Sequence, residues 1–199
     1  MKQDITAHTL TCMVFAFFVS LLFVLTDARA QSPENSGAAE GLTVVPLGLG
    51  RNVPVDFWTK EHLFYVNGDT VRRTLEEHRG KMLVLDFWFS GCFNCLLHQK
   101  EIAYFKELYA DELAVIMVNS KGTKEDYDKI VKFTDSKTFK NLGLIDFTSI
   151  IDDEYLEAMF VHYGFPHYVW INGRGVFQLQ TFRNLLDRDY RTPFIDIKR

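Results

Sequence analysis

Cys92 and Cys95 stand three positions apart at the junction of two unlike segments. Ahead of them runs Met82-Leu83-Val84-Leu85-Asp86-Phe87-Trp88-Phe89, of strand length and almost wholly apolar, and behind them Leu96 to Tyr109 carries apolar residues at helical spacing. A strand that delivers Cys92 to the first turn of a helix leaves its sulfur near unpaired backbone N–H groups and the positive end of the helix dipole, which favour thiolate over thiol. The thiolate is the form that attacks disulfides, so the spacing predicts a redox-active dithiol. Cys95, one turn on, has its Cβ roughly 5–6 Å away in ideal helix geometry, against about 3.5–4.5 Å in a relaxed disulfide. The bond is expected to close with slight local adjustment and to stay easy to reduce.

Two other chemistries fit the same residues. Cys92, Cys95 and His98 form a C-x2-C-x2-H spacing that zinc or copper could use with a fourth ligand from elsewhere, although no second cysteine pair exists to complete a structural zinc site. A purely structural disulfide is the other, but so short a ring restrains little of the chain. Covalent haem is excluded because Leu96, not His, follows Cys95.

The elements around the pair read as an α/β domain. Met82 to Phe89 is a strand buried on both faces, and the following helix turns Cys95, Ile102, Phe105 and Tyr109 to one side. Leu113 to Val118 is a second buried strand and Lys124 to Phe133 a second amphipathic helix, which implies parallel crossover units. A short apolar piece, Leu142 to Ile145, precedes a helix expected from about Asp153 to Tyr163. Tyr168 to Ile171, the Asn172-Gly173 turn and Val176 to Gln180 form an antiparallel pair. Upstream, Thr43 to Gly68 is broken by Pro46, Pro54 and Asn67-Gly68 into extended pieces, and Thr70 to His78 reads as a short helix ending at Gly80.

The start of the chain resembles an export signal: Lys2, an apolar run of 14 residues from Cys12 to Leu25, then Ala28-Arg29-Ala30 as a cleavage site. The run is shorter than the roughly 20 residues a spanning helix needs, so cleavage is the leading expectation and an uncleaved anchor the alternative. Residues 1–30 are therefore read as a signal peptide, 31–41 as a flexible spacer and 42–199 as the domain, with 182–199 an irregular tail. Removing the signal leaves Cys92 and Cys95 alone, in a compartment where disulfides persist. A net charge of −4 with no basic run excludes nucleic acid as the expected partner, and 47% hydrophobic residues with 18 Phe supply an ample core.

The segments Leu83 to Cys95 and Tyr163 to Gly173 resemble the thioredoxin superfamily, and within it the exported TlpA-like and ResA-like thiol-disulfide oxidoreductases. The resemblance implies a thioredoxin-like fold: a central mixed β-sheet flanked by helices, with an inserted helix and strand around 124–150 accounting for the 70 residues between Cys95 and Pro166. It implies Cys92 as nucleophile, Cys95 as resolving thiol and Asp86 as the buried carboxylate that takes the Cys95 proton; burial among apolar neighbours should raise the Asp86 pKa. It implies a cis peptide at Pro166, and Trp88, Phe93, Phe165 and Pro166 are expected to meet substrate. His162, His167 and Tyr163 could tune the dithiol, with a solvated loop histidine as the default reading.

The implied activity is exchange with disulfide-containing proteins outside the cytoplasm, acting as a reductant fed by a membrane thiol carrier. No metal and no cofactor beyond the Cys92–Cys95 pair is expected. The alternatives are a copper-delivery module using Cys92, Cys95 and a histidine, and a non-catalytic binding module of the same fold. Departures from the family pattern are Gly91 in place of Trp before the first cysteine, Phe93-Asn94 between the cysteines, and Phe165 before the proline. Gly91 predicts a flatter surface beside the dithiol.

Overall fold

The computed structural model describes residues 44–144 and 146–190; the expected signal peptide, the spacer and residues 191–199 of the tail lie outside the described residues. Asn67 and Gly68 both take positive φ, 49° and 105°, as a two-residue type I′ turn requires. They join β1 (His62–Val66) to antiparallel β2 (Asp69–Arg73). The helix expected over Thr70 to His78 is therefore absent: β2 and a 3-10 turn, Glu76–His78, occupy it. All of β2 is exposed, so the segment carries no alternation of apolar and polar residues, and the turn sets its conformation.

The apolar run before the dithiol forms β3 (Met82–Phe87), followed by α1 (Phe93–Leu97) and α2 (Gln99–Leu108), which share His98 as a cap where one continuous helix was expected. β4 (Leu113–Ser120) is the second buried strand. Asp126 caps α3 (Tyr127–Thr134), its side chain accepting from the Lys129 N–H at 2.9 Å, so this helix begins later than the expected Lys124. Then come α4 (Lys137–Leu142), β5 (Thr148–Asp153), α5 (Tyr155–Met159), β6 (His167–Ile171) and β7 (Phe177–Thr181).

Leu142 ends α4, β5 lies between the apolar piece expected from Leu142 and the helix expected from about Asp153, and that helix is present, shorter, as α5. Between β6 and β7, Asn172 Oδ1 accepts from the N–H groups of Arg174 and Val176, both at 3.0 Å, which fixes the expected turn.

The strands form one sheet in the order β2-β1-β5-β4-β3-β6-β7, with β3, β4 and β5 mutually parallel and the remaining pairs antiparallel. Alternation along β3 divides the core. Leu83, Leu85 and Phe87 pack with Phe57, Leu156 and Phe160 on one face. Val84 joins Ile102, Phe105 and Tyr109 on the other, where Trp88 packs with both cysteines, Ile130, Phe139 and Phe147. Each large side chain so buried contributes about 1.5–3 kcal/mol. No helix follows β7 within the described residues: Leu185 and Leu186 are buried beside α2, and Arg188 clasps Glu101.

Candidate active site

Cys92 is the N-cap of α1, and its Sγ lies 3.2 Å from the Cys95 backbone N–H, which donates to it. The turn into it is closed by the Cys92 N–H bonding the Phe89 carbonyl at 2.9 Å. Cys92 and Cys95 are joined in a disulfide with Cα atoms 5.3 Å apart. Cys92 retains 7% of its surface while Cys95 retains none, so an incoming group reaches Cys92 first. The helix N-terminus and the N–H donor act on the reachable sulfur, as the spacing predicts.

Asp86 lies in β3 with no exposed surface, opposite Tyr168 in β6. Gln99 donates its side-chain amide to Asp86 Oδ2 at 2.7 Å and to the Cys95 carbonyl at 3.0 Å. Burial pushes the Asp86 carboxyl up to about 8, against the pull of the Gln99 donor. Gln99 also lines a cavity of about 380 Å³ together with Val115, Met117 and Phe147.

The antiparallel register Phe87↔His167 brings the Phe165–Pro166 peptide bond, which is cis, beside the end of β3. Phe165 packs against the cluster that holds both cysteines, and its ring lies 5.1 Å from Phe89. The Phe89 ring in turn occupies the side of Gly91, where a Cβ would come within 2.5 Å of it. Phe93 is 56% exposed at the start of α1 and Phe165 and Pro166 are half-buried, so these three can meet a docked chain.

Trp88 cannot. It is fully buried, its indole donating to Ser149 Oγ at 2.8 Å, and its place is behind the dithiol; an aromatic in the run before the cysteines reads alike in sequence whichever face it takes. His167 is likewise a correction to the loop reading. It is buried as the first residue of β6, stacked on His162 with ring centroids 5.0 Å apart, and burial pushes it down to about 4. His98, the third residue of the metal spacing, shares a hydrogen bond with the Tyr168 hydroxyl at 3.0 Å, and no metal-holding group of three His, Cys, Asp or Glu side chains occurs among the described residues.

Sequence reasoning missed Glu125, which falls within the amphipathic helix expected over Lys124 to Phe133. Its carboxylate is buried and accepts from the Ser90 N–H at 2.9 Å, from the Ser90 hydroxyl, and from Asn119 Nδ2 at 2.8 Å, with Lys129 Nζ at 3.4 Å. Burial alone would raise its pKa, but the two Ser90 donors, Asn119 and Lys129 outweigh it and hold the group below the usual carboxylate range.

No protein-family model matches the chain. The Bacillus subtilis (strain 168) thioredoxin-like protein YneN is 24% identical over 107 residues, which span 54% of this chain and 59% of that protein. The solution structure of a candidate protein disulfide isomerase from Bacteroides thetaiotaomicron superposes with a TM-score of 0.50 at 19% identity, covering 70% of this chain and 83% of that one. The thioredoxin domain of a Bacteroides vulgatus thiol-disulfide oxidoreductase aligns at 18% identity and a TM-score of 0.47, over 69% of this chain and 91% of that one. The likeness is one of fold: the chain shares a thioredoxin-like fold with the Bacteroides thetaiotaomicron structure. Among the described residues no helix is long and apolar enough to cross a membrane.

Proposed function

We propose that the chain is a thiol-disulfide oxidoreductase that reduces disulfides of protein substrates outside the cytoplasm, its dithiol restored by a membrane thiol carrier. The observation that carries this reading is Cys92 Sγ at the cap of α1, the more accessible sulfur of the pair, beside a cis-proline turn. The Cys92 thiolate attacks one substrate sulfur; a mixed disulfide forms and the other substrate sulfur leaves as thiolate. Cys95, its proton taken by Asp86 in the ionised form, then attacks Cys92; the mixed disulfide breaks, the second substrate sulfur leaves, and Cys92–Cys95 closes. Two electrons pass to the substrate, and no cofactor beyond the cysteine pair is involved.

Residues 87–99 and 158–173 contain no Asp, Glu, Lys or Arg, while Phe93, Tyr163 and Phe182 are exposed. Apolar contact, rather than charge, is thus the proposed means of holding a polypeptide at the dithiol. Export rests on the signal-like start of the sequence.

The test is trapping. Cys95→Ser should accumulate mixed disulfides with protein partners and Cys92→Ser none; failure of Cys95→Ser to capture any substrate, with a disulfide inert to mild dithiol, removes the reading.

A further inference from the structure

We propose that Glu125 is a positioning residue for the dithiol: its buried carboxylate holds a negative charge under the turn into Cys92, disfavours the Cys92 thiolate, and so sets the pair toward reduction of substrates. The inference rests on the exchange reading and gives its direction, reduction, a basis in the structure. Glu125 lies beyond β4, yet its side chain, 1% exposed, is bonded to Ser90, two residues before the nucleophile. Asn119 extends the tie, since Nδ2 donates to Glu125 Oε2 at 2.8 Å and lies 3.3 Å from the Trp88 carbonyl. One carboxylate thereby joins the end of β3, the turn and the inserted region.

The charge is present at neutral pH, because three donors and Lys129 hold the group ionised despite its burial. Two residues of chain span at most about 7 Å, which with the 2.9 Å bond to Ser90 puts the carboxylate within roughly 10 Å of the Cys92 backbone and roughly 13 Å of its sulfur. At an effective dielectric near 20, a unit charge at that range moves a thiol by about one pKa unit. It opposes the helix N-terminus, which favours the thiolate. The other titratable groups nearby oppose it little: Asp86 is neutral below about pH 8, burial holds His98 below its usual value, and only Lys129 offsets the charge, from the solvent side. A less stable thiolate makes the dithiol a better electron donor, because a dithiol whose reduced form is stabilised is an oxidant.

The experiment equilibrates the full chain with glutathione buffers and titrates the reduced protein by thiolate absorbance. Glu125→Gln keeps the size and an acceptor for Ser90 but removes the charge. It should shift the equilibrium about tenfold toward the dithiol, ~30 mV for a two-electron couple, and lower the Cys92 midpoint by about one unit. Lys129→Met leaves the carboxylate unopposed and should shift both quantities less, in the opposite sense. An unmoved equilibrium in Glu125→Gln alongside a lowered unfolding midpoint overturns the proposal, since a structural role alone predicts that pair of results. Should Glu125→Gln not fold, Lys129→Met decides: no shift, or a shift toward the dithiol, overturns it. A wild-type chain that never equilibrates with glutathione instead sinks the exchange reading, before any variant is compared.

Discussion

Gln99 donates its side-chain amide to Asp86 Oδ2 over 2.7 Å. The same nitrogen lies 3.0 Å from the Cys95 carbonyl, so the buried carboxyl is tied to the backbone of Cys95 through one residue. Gln99→Met keeps the length and apolar stem but removes the donor, which favours the charged form of Asp86. A hydrogen bond to a charged acceptor contributes about 1.5–3 kcal/mol, so the Asp86 midpoint should rise by about one pH unit or more. The rate of mixed-disulfide release against pH, followed by stopped flow, should move upward by that amount. A profile that overlays the wild type would show that Gln99 does not act on Asp86.

Asp86 also leaves a signature in stability. Its folded pKa of about 8 lies above its unfolded value of 3.8, so between about pH 4 and pH 8 the folded chain holds a proton that the unfolded chain has lost. The stabilisation from that proton is complete below about pH 4, declines as pH rises, and is gone above about pH 8, a change of roughly 3–6 kcal/mol. Asp86→Asn abolishes the slope. In urea unfolding of the oxidised protein, the variant should match the wild type most nearly near pH 4 and gain on it steadily to pH 8. Parallel curves would mean that Asp86 titrates alike in both states.

The sequence discloses the parts of this site that local pattern encodes and hides the parts that meet only in three dimensions. β3, β4, the Asn172-Gly173 hairpin, the dithiol at a helix start and the Asp86 carboxylate are legible because apolar runs, turn residues and a charge among hydrophobes are each visible in a short window. The strand β5 is not, because Thr148-Ser149-Ile150-Ile151-Asp152-Asp153 mixes polar and β-branched residues, and its burial comes from lying between β1 and β4. Glu125 is hidden for a different reason: beside Lys124 and Asp126 it has the composition of a solvated helix start, and its partner Ser90 is 35 residues away.

Gly91 is tied to Phe89. A Cβ at Gly91 would meet Phe89 Cε2 at 2.5 Å, and that ring already faces Phe165 at 5.1 Å, so it can give way only by disturbing the contact beside the cis-proline. The flat surface expected from Gly91 is therefore filled by a ring from two residues upstream. Gly91→Ala should cost about 1–2 kcal/mol, and combining it with Phe89→Ala should recover most of that cost. A double-mutant cycle by urea unfolding checks it; additive losses would mean that the two positions do not compete for space.

The segment after β7 begins the irregular tail expected from residue 182, and its hold on the domain is apolar. Leu186 is 1% exposed beside Ile102, Phe105 and Tyr109, whereas Arg188 reaches Glu101 across the surface with bonds of 2.7 Å and 3.0 Å. An exposed ion pair gives up hydration and side-chain freedom to form, while a buried leucine leaves a cavity when it is truncated. Leu186→Ala should therefore lower stability by about 2–4 kcal/mol, and Arg188→Ala should move the urea midpoint far less. The Arg188 effect should shrink further in high salt and the Leu186 effect should not. If Arg188→Ala proves the more damaging of the two, the segment is held by its charges, and the loss of Asp187 from the vicinity of His98 becomes the consequence to measure next.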